Sequence, residues 1–323
     1  LEIWSSQRNY SKGPGGNSPY GGDLIAKMVG KCNFDEEPRA PKYAPSSEIF
    51  VALTKLLNLR YKSLSHPNYI SLEPNQINMA LSKAKEKKNL TFNDLKNIIL
   101  EDNLKFKDLQ LPKKDYLKLI EELKKKLQKD KIEINNLTPA EKELYNIEYE
   151  KKLFSKAIVE LKGYNELKDK ITKCFGKDFW EETKENLDLL DELALYCTNY
   201  KLNEDILAKI KESPLFSDTY ADLEFIKILP NFKDHLMLSI NIIRKLIPLM
   251  LAGKRYDEAM MELNYIHYEN TLNKEKKDLL IPITKNNNIT NQRVIRSLTQ
   301  TRKIINALIK KYGSPKIINI ETA

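Results

Sequence analysis

The sequence predicts a mainly α fold: a lobe of many short helices, followed by one more helix and a single strand. Three observations carry that expectation. Apolar residues recur at three- and four-residue spacing over most of the chain, and alternating runs are almost absent. Only 10 glycines occur in 323 residues, few for an all-β or dinucleotide-binding domain. Helix start signals are well placed: Thr91 and Thr138 each stand three residues before an acid, Asp94 and Glu141, and Pro139 takes the first helical position.

Residues 1–22 join a short apolar opening to a glycine- and proline-rich stretch with little to bury, and read as a linker. Asp23 can cap a short helix to about Val29, with Gly30 as its stop. Pro38, Pro41 and Pro45 exclude regular helix from the next segment. Ser46 or Ser47 then starts a helix through Ile49, Leu53, Leu56, Leu57 and Tyr61. Further helices are expected over 73–87, 91–100, 112–131, 139–161, 187–199, 203–211, 236–252 and 256–263. The lysine-rich run 113–131 also carries Glu121, Glu122 and Asp130 and reads as a solvated amphipathic helix.

A formal net charge of +9, from 54 Lys+Arg and 45 Asp+Glu, invites a polyanionic partner without proving one. The excess is uneven: about +3 over residues 1–62, −2 over 63–230 and +8 over 231–323. Cys32, Cys174 and Cys197 match no zinc or disulfide spacing, and buried or reduced thiols are expected. No secretory signal opens the chain and no apolar run approaches a membrane span, so a cytoplasmic protein is expected, with no membrane partner. A start at Leu1 and a stop at Ala323 inside an apolar run suggest a piece of something longer. As an independent enzyme the chain is a poor fit. His66, His235 and His267 are widely separated, and no phosphate-loop, HExxH or GxSxG pattern occurs.

The most informative local pattern is 291–312. On a helical wheel Val294, Ile295, Leu298, Ile305, Leu308, Ile309 and Tyr312 share one face, with Arg302 at its edge. Arg293, Arg296, Gln300, Lys303, Lys310 and Lys311 fall on the opposite arc with no acid among them, a basic stripe about 25 Å long that could follow a nucleic-acid backbone. An exposed face that happens to be basic is the alternative. Gly313-Ser314-Pro315 ends the helix, and Lys316 to Ala323 reads as a strand holding one carboxylate, Glu321, a candidate metal ligand.

Ile289 to Arg296 and Gln300 to Gly313 resemble the helix before the second RuvC motif of type II CRISPR endonucleases, the Cas-nine family, and Ile318 to Ala323 fits the acid-bearing strand that follows it. Met28 to Phe34, continuing through Arg39 to Lys42, Phe50, Leu53 and Asn58 to Arg60, resembles the start of that family's recognition lobe in its compact subtype. His235-Leu236, Lys245 to Met250 and Gly253 to Ala259 resemble its last third, while residues 63–230 match loosely, mainly at Gly163 to Leu167. The resemblance implies a linker over 1–22, an α-helical recognition lobe over 23–285 and a RuvC segment over 286–323. It implies a monomer that binds guide RNA (crRNA with tracrRNA, or a single guide RNA) and the target DNA strand, with an anti-CRISPR protein as a further partner. Such proteins leave sequence reading to base pairing and hold the duplex by backbone and shape.

Residue by residue, the resemblance implies that Gly30 admits a phosphate, that Phe34 packs at a sugar–phosphate edge with Phe50 nearby, and that Arg39, Lys42, Arg60, Lys233 and His235 face the nucleic acid, together with Arg293, Arg296 and Lys303. Asn33 stands where the family more often has threonine. Glu321 would help hold two Mg2+ ions in the intact nuclease, and this piece alone would cut nothing. Phe34 and Phe50 as plain core, and Arg39 and Lys42 as plain solvated residues, are the alternatives at those positions. For the chain as a whole, the alternative is an all-helical protein-interaction scaffold with incidental basic ends.

Overall fold

The computed structural model describes residues 28–127, 137–265, 279–282, 292–313 and 315. The chain divides into two compact units, Leu1–Tyr265 and Ile266–Ala323. The first unit opens with β1 (Arg39–Pro41), α1 (Pro45–Asn58), β2 (Arg60–Lys62), β3 (Ile70–Ser71), α2 (Pro74–Glu86), β4 (Asn89–Thr91), α3 (Phe92–Ile99), β5 (Lys105–Phe106) and α4 (Lys113–Leu127). It continues through α5 (Pro139–Phe154), β6 (Ala157–Glu160), α6 (Lys162–Phe175), α7 (Lys177–Thr183), α8 (Leu187–Asn199), α9 (Asn203–Glu212) and α10 (Leu223–Ile228). It closes with β7 (His235–Ser239), α11 (Ile240–Leu251) and α12 (Tyr256–Glu262).

Helix α1 lies at the centre. Pro45 starts it where its missing N–H is no loss, and Ile49, Ala52, Leu53, Leu56 and Leu57 are buried against α11, α8, α2 and α6. Leu246, Ile243, Leu193, Leu190 and Leu167, all fully buried, extend the same core from those partners. At the start of α3 the Thr91 hydroxyl accepts the Asp94 N–H, and the Asp94 carboxylate accepts the Thr91 N–H at 3.0 Å and the Lys87 ammonium at 2.7 Å. Burial pushes that carboxyl up, but the hydrogen bonds from Lys87 and Thr91 outweigh it and hold Asp94 well below the usual carboxylate range. Asp94→Ala is expected to lower stability by about 2 kcal/mol, read by urea unfolding at pH 7, because it orphans both donors. A change under about 0.5 kcal/mol would show that the cap contributes nothing.

Among the described residues three small antiparallel sheets tie segments together: β1 with β7, β2 between β3 and β5, and β4 with β6. None was legible from periodicity, and three helices come out shorter than expected. The helix expected to run through Tyr61 ends at Asn58, because Arg60–Lys62 forms β2. The expected helix over 139–161 ends at Phe154, because Ala157–Glu160 pairs with Asn89–Thr91. The expected helix over 236–252 begins only at Ile240, because His235–Ser239 pairs with β1; the Ser239 hydroxyl then caps α11 by accepting the Ile242 N–H at 3.2 Å. The expected helix from Asp23 lies largely outside the described residues. The cysteines are free, with Cys32 and Cys197 buried and Cys174 exposed. Among the described residues no helix is long and apolar enough to cross a membrane.

In the second unit α13 (Gln292–Tyr312) spans the expected helix and buries none of its residues. Asn306 accepts the Leu280 N–H at 2.8 Å and donates to the Leu280 carbonyl at 2.9 Å, and Arg302 reaches the same carbonyl at 3.5 Å. Arg302, at the edge of the apolar face, thus finds a backbone oxygen. Gly313, at φ 83°, ends the helix in a conformation that suits glycine.

Candidate nucleic-acid interface

The first unit's site is built on the β1–β7 ribbon. A tight hairpin precedes β1: the Cys32 N–H donates to the Glu37 carbonyl at 2.8 Å, the Arg39 N–H donates to the Gly30 carbonyl at 3.0 Å, and Lys31 bridges to Pro38. Arg39 turns back on this hairpin. Its Nε donates to the Lys31 carbonyl at 3.2 Å, and its guanidinium lies 3.3 Å from where a Cβ on Gly30 would stand. Gly30 therefore makes room for Arg39.

Beyond the strand, the Lys42 N–H donates to the Asp234 carbonyl at 3.1 Å and the Lys42 ammonium lies 3.5 Å from the Asp234 carboxylate. Asp234 occupies the left-handed region at φ 72°, which turns the chain between exposed Lys233 and His235. His235 faces Pro41 across the ribbon, its Nε2 buried without a partner. Burial pushes the imidazole below its ordinary value, against the pull of Asp234, so it is neutral at pH 7 and could contribute a hydrogen bond but not a charge. Gly30, Arg39, Lys42, Lys233 and His235 thus come together from segments about 190 residues apart.

The structure adds residues that sequence reasoning missed. Tyr43 follows Lys42 and stacks on Phe232, with centroids 5.3 Å apart and planes at 27°. The ammonium groups of Lys42 and Lys162 each lie 5.6 Å from the Tyr43 ring centroid. Two clefts share Tyr43 and Lys162 as walls. One, of about 600 Å³, is also lined by Lys42, Glu48, Lys55 and Glu160; the other, of about 620 Å³, by Glu166, Asp169, Lys170 and Lys233.

The buried Glu48 carboxylate, on α1, locks this geometry by accepting the Gly163 N–H at 2.7 Å and the Tyr164 N–H at 3.0 Å at the start of α6. Burial pushes its carboxyl up to about 7, although those backbone bonds pull the other way. Gly163 allows the contact to be this close: a Cβ there would lie 2.9 Å from the Tyr43 carbonyl carbon and nearer still to its oxygen. The Gly163-Tyr164 pair was the one visible signal, and it lay in the stretch that resembled the family only loosely.

The remaining candidates are more scattered. Phe34 and Phe50 are half-buried and pack edge-on against Tyr265 and Tyr256 at 5.6 Å and 5.7 Å, so both rings do core work. Arg60 donates to the Leu57 and Leu59 carbonyls at 2.9 Å and 3.0 Å, capping the end of α1. Arg293, Arg296 and Lys303 are exposed on α13 in the second unit. Glu321 lies outside the described residues. Among those residues no group of three His, Cys, Asp or Glu could hold a metal ion. A further cleft of about 430 Å³ is lined by Arg39, Asp191 and Arg244, and there Asp191 is occupied structurally. It accepts the Ser46 N–H at 2.8 Å and two guanidinium N–H groups of Arg244 at 2.7 Å and 3.1 Å.

Compared with known proteins, the chain is 32% identical over 305 residues to the CRISPR-associated endonuclease Cas9 of Campylobacter jejuni, covering 93% of this chain and 25% of that protein. It is 27% identical over 332 residues to the Cas9 of Staphylococcus aureus, covering all of this chain and 26% of that protein. Among solved structures, C. jejuni Cas9 with sgRNA and target DNA superposes with a TM-score of 0.54 at 25% identity, over 91% of this chain and 31% of that one. Streptococcus thermophilus Cas9 with the GGAA PAM gives 0.56 at 21% identity, over 97% of this chain and 26% of that one. The chain spans about a quarter of the length of the relatives it matches. No family model matches it.

Proposed function

We propose, from the premise that this chain's homologues are Cas9 endonucleases, that it is the helical recognition part of an RNA-guided DNA endonuclease and holds guide RNA and the guide–target heteroduplex by their phosphates. The observation that carries this reading is the β1–β7 ribbon, which sets Arg39 and Lys42 beside Lys233 and His235 next to lysine-lined clefts. Lysines there act as point charges toward phosphate oxygens, and the neutral imidazole of His235, with Nε2 unpartnered, serves as a hydrogen-bonding group. Arg39 presents its remaining N–H groups from the hairpin that it braces. Gly30 makes room for Arg39 in that hairpin, while Phe34 and Phe50 support it from the core and Arg60 ends α1.

The same reading takes 1–22 as a linker, 23–285 as the recognition lobe and 286–323 as a RuvC segment, with Arg293, Arg296 and Lys303 along a nucleic-acid strand. It makes the chain monomeric and bacterial cytoplasmic. Solved relatives support the partners: C. jejuni Cas9 with sgRNA and target DNA, and St1Cas9 with the anti-CRISPR protein AcrIIA6. Glu321 would lend one carboxylate to Mg2+, which in such nucleases activates water and steadies the leaving oxygen. The described residues alone do not complete a two-metal centre.

Filter binding at 50 and 200 mM salt tests the reading. The chain should prefer guide RNA over unrelated duplex RNA, and its affinity should fall steeply with salt. Lys42→Ala with Lys233→Ala should reduce the slope of log K against log salt by about 2 while leaving the melting temperature unchanged, since both side chains are exposed. Weak binding without preference or salt dependence would favour the protein-interaction scaffold instead.

A further inference from the structure

We infer that Lys162 and Lys42, on the ring of Tyr43, form a phosphate clamp where the two clefts meet, so that one ribose–phosphate strand passes from cleft to cleft over Tyr43. This rests on the nucleic-acid reading above and adds residues that the resemblance did not supply. The ring is fixed from behind by its stack on Phe232, and both ammonium groups sit at the same 5.6 Å from its centroid. That contact orients the charges without neutralising them.

Their carboxylate partners are loosely held. Lys42 reaches Asp234 at 3.5 Å and Lys162 reaches Glu166 at 3.9 Å; Lys42, Asp234 and Lys162 are exposed and Glu166 is half-buried. Such pairs contribute little, so a phosphate can replace the carboxylates. The backbones beneath are rigidly joined, because Tyr43 packs directly on Gly163 and Glu48 ties Gly163 to α1. Lys55 at one end and Lys170 and Lys233 at the other continue the positive lining, interrupted by Glu160, Glu166 and Asp169. A compact ammonium suits a phosphate oxygen better than a base edge, so the ligand class is the backbone of a nucleic-acid strand, read without sequence preference.

The test is fluorescence anisotropy of the whole chain with an RNA–DNA hybrid of about 20 base pairs across a salt series. Lys162→Gln should lower the salt slope by about one and weaken binding about eightfold at 0.1 M salt, the effect of one lost phosphate contact. Lys162→Arg should keep the wild-type slope, and Glu166→Gln, which frees Lys162, should tighten binding. Lys118→Gln, which removes the same charge from exposed α4, should do neither. An unchanged slope in Lys162→Gln, with normal wild-type binding, overturns the clamp alone. Wild-type binding that ignores salt overturns both the clamp and the recognition-lobe reading.

Discussion

Gly163→Ala is expected to destabilise the first unit by about 3 kcal/mol, the upper part of the range for a side chain forced into a packed site. The sign is not obvious from helix physics. Gly163 lies in the first turn of α6, where alanine is the better helix former by about 1 kcal/mol. The collision decides it. The added methyl would fall on the Tyr43 carbonyl, which is backbone and cannot swing away as a lysine tip could. Relief requires α6 to move off the β1–α1 turn, and that pulls the Gly163 and Tyr164 N–H groups from Glu48. Urea unfolding followed by circular dichroism measures the loss, and hybrid binding should weaken with it as Tyr43 shifts. Equal or greater stability in the variant would show that the contact is not as close as described.

The second large effect is a dependence on pH from Glu48. Its carboxyl ionises at about 7 in the folded protein, against 4.5 for a free glutamate. Between those values the folded state holds a proton that the unfolded state has lost. Stability from this group is therefore fully present below about pH 4.5 and is lost as pH rises through about 7. A shift of that size amounts to about 3 kcal/mol. Asp191, also raised by burial, acts in the same sense, while His235, lowered by burial, acts in the opposite one. The difference between wild type and Glu48→Gln cancels both contributions. That difference should shrink by about 2.4 kcal/mol between pH 5 and pH 7.5, measured by denaturant midpoints at each pH. A constant offset would mean that Glu48 is ionised throughout.

Both effects come from residues that the sequence shows poorly, and the reason is physical. Helices announce themselves locally: Thr91 with Asp94, Thr138 with Glu141 and the apolar face of 292–312 each lie within a turn or two, and the helices formed there. The strands are two to five residues long, too short for alternation to register, and each is stabilised by a partner far away in the chain. For the same reason His235–Ser239 looked like the start of a helix. Arg39, Lys42, Lys233 and His235 were reachable because a family resemblance placed them in advance. Tyr43, Glu48 and Lys162 were not, since their meaning depends on a carboxylate from α1 bonding the first turn of α6, 115 residues later. Arg60 shows the converse. A basic residue in a resembling block can be spent on two carbonyls of its own helix.

The ribbon that joins Arg39–Pro41 to His235–Ser239 also sets when this surface can exist. At about 5–20 residues added per second, a ribosome needs roughly 10–40 s after β1 leaves the peptidyl-transferase centre to supply β7. During that interval Lys42 has no Asp234 or Lys233 beside it, and the wall formed by Phe232 is missing behind Tyr43. A nascent chain can build helices early but gains this lysine-bearing ribbon late. The face proposed above to hold nucleic acid is therefore complete only after nearly all of the chain between β1 and β7 has been made.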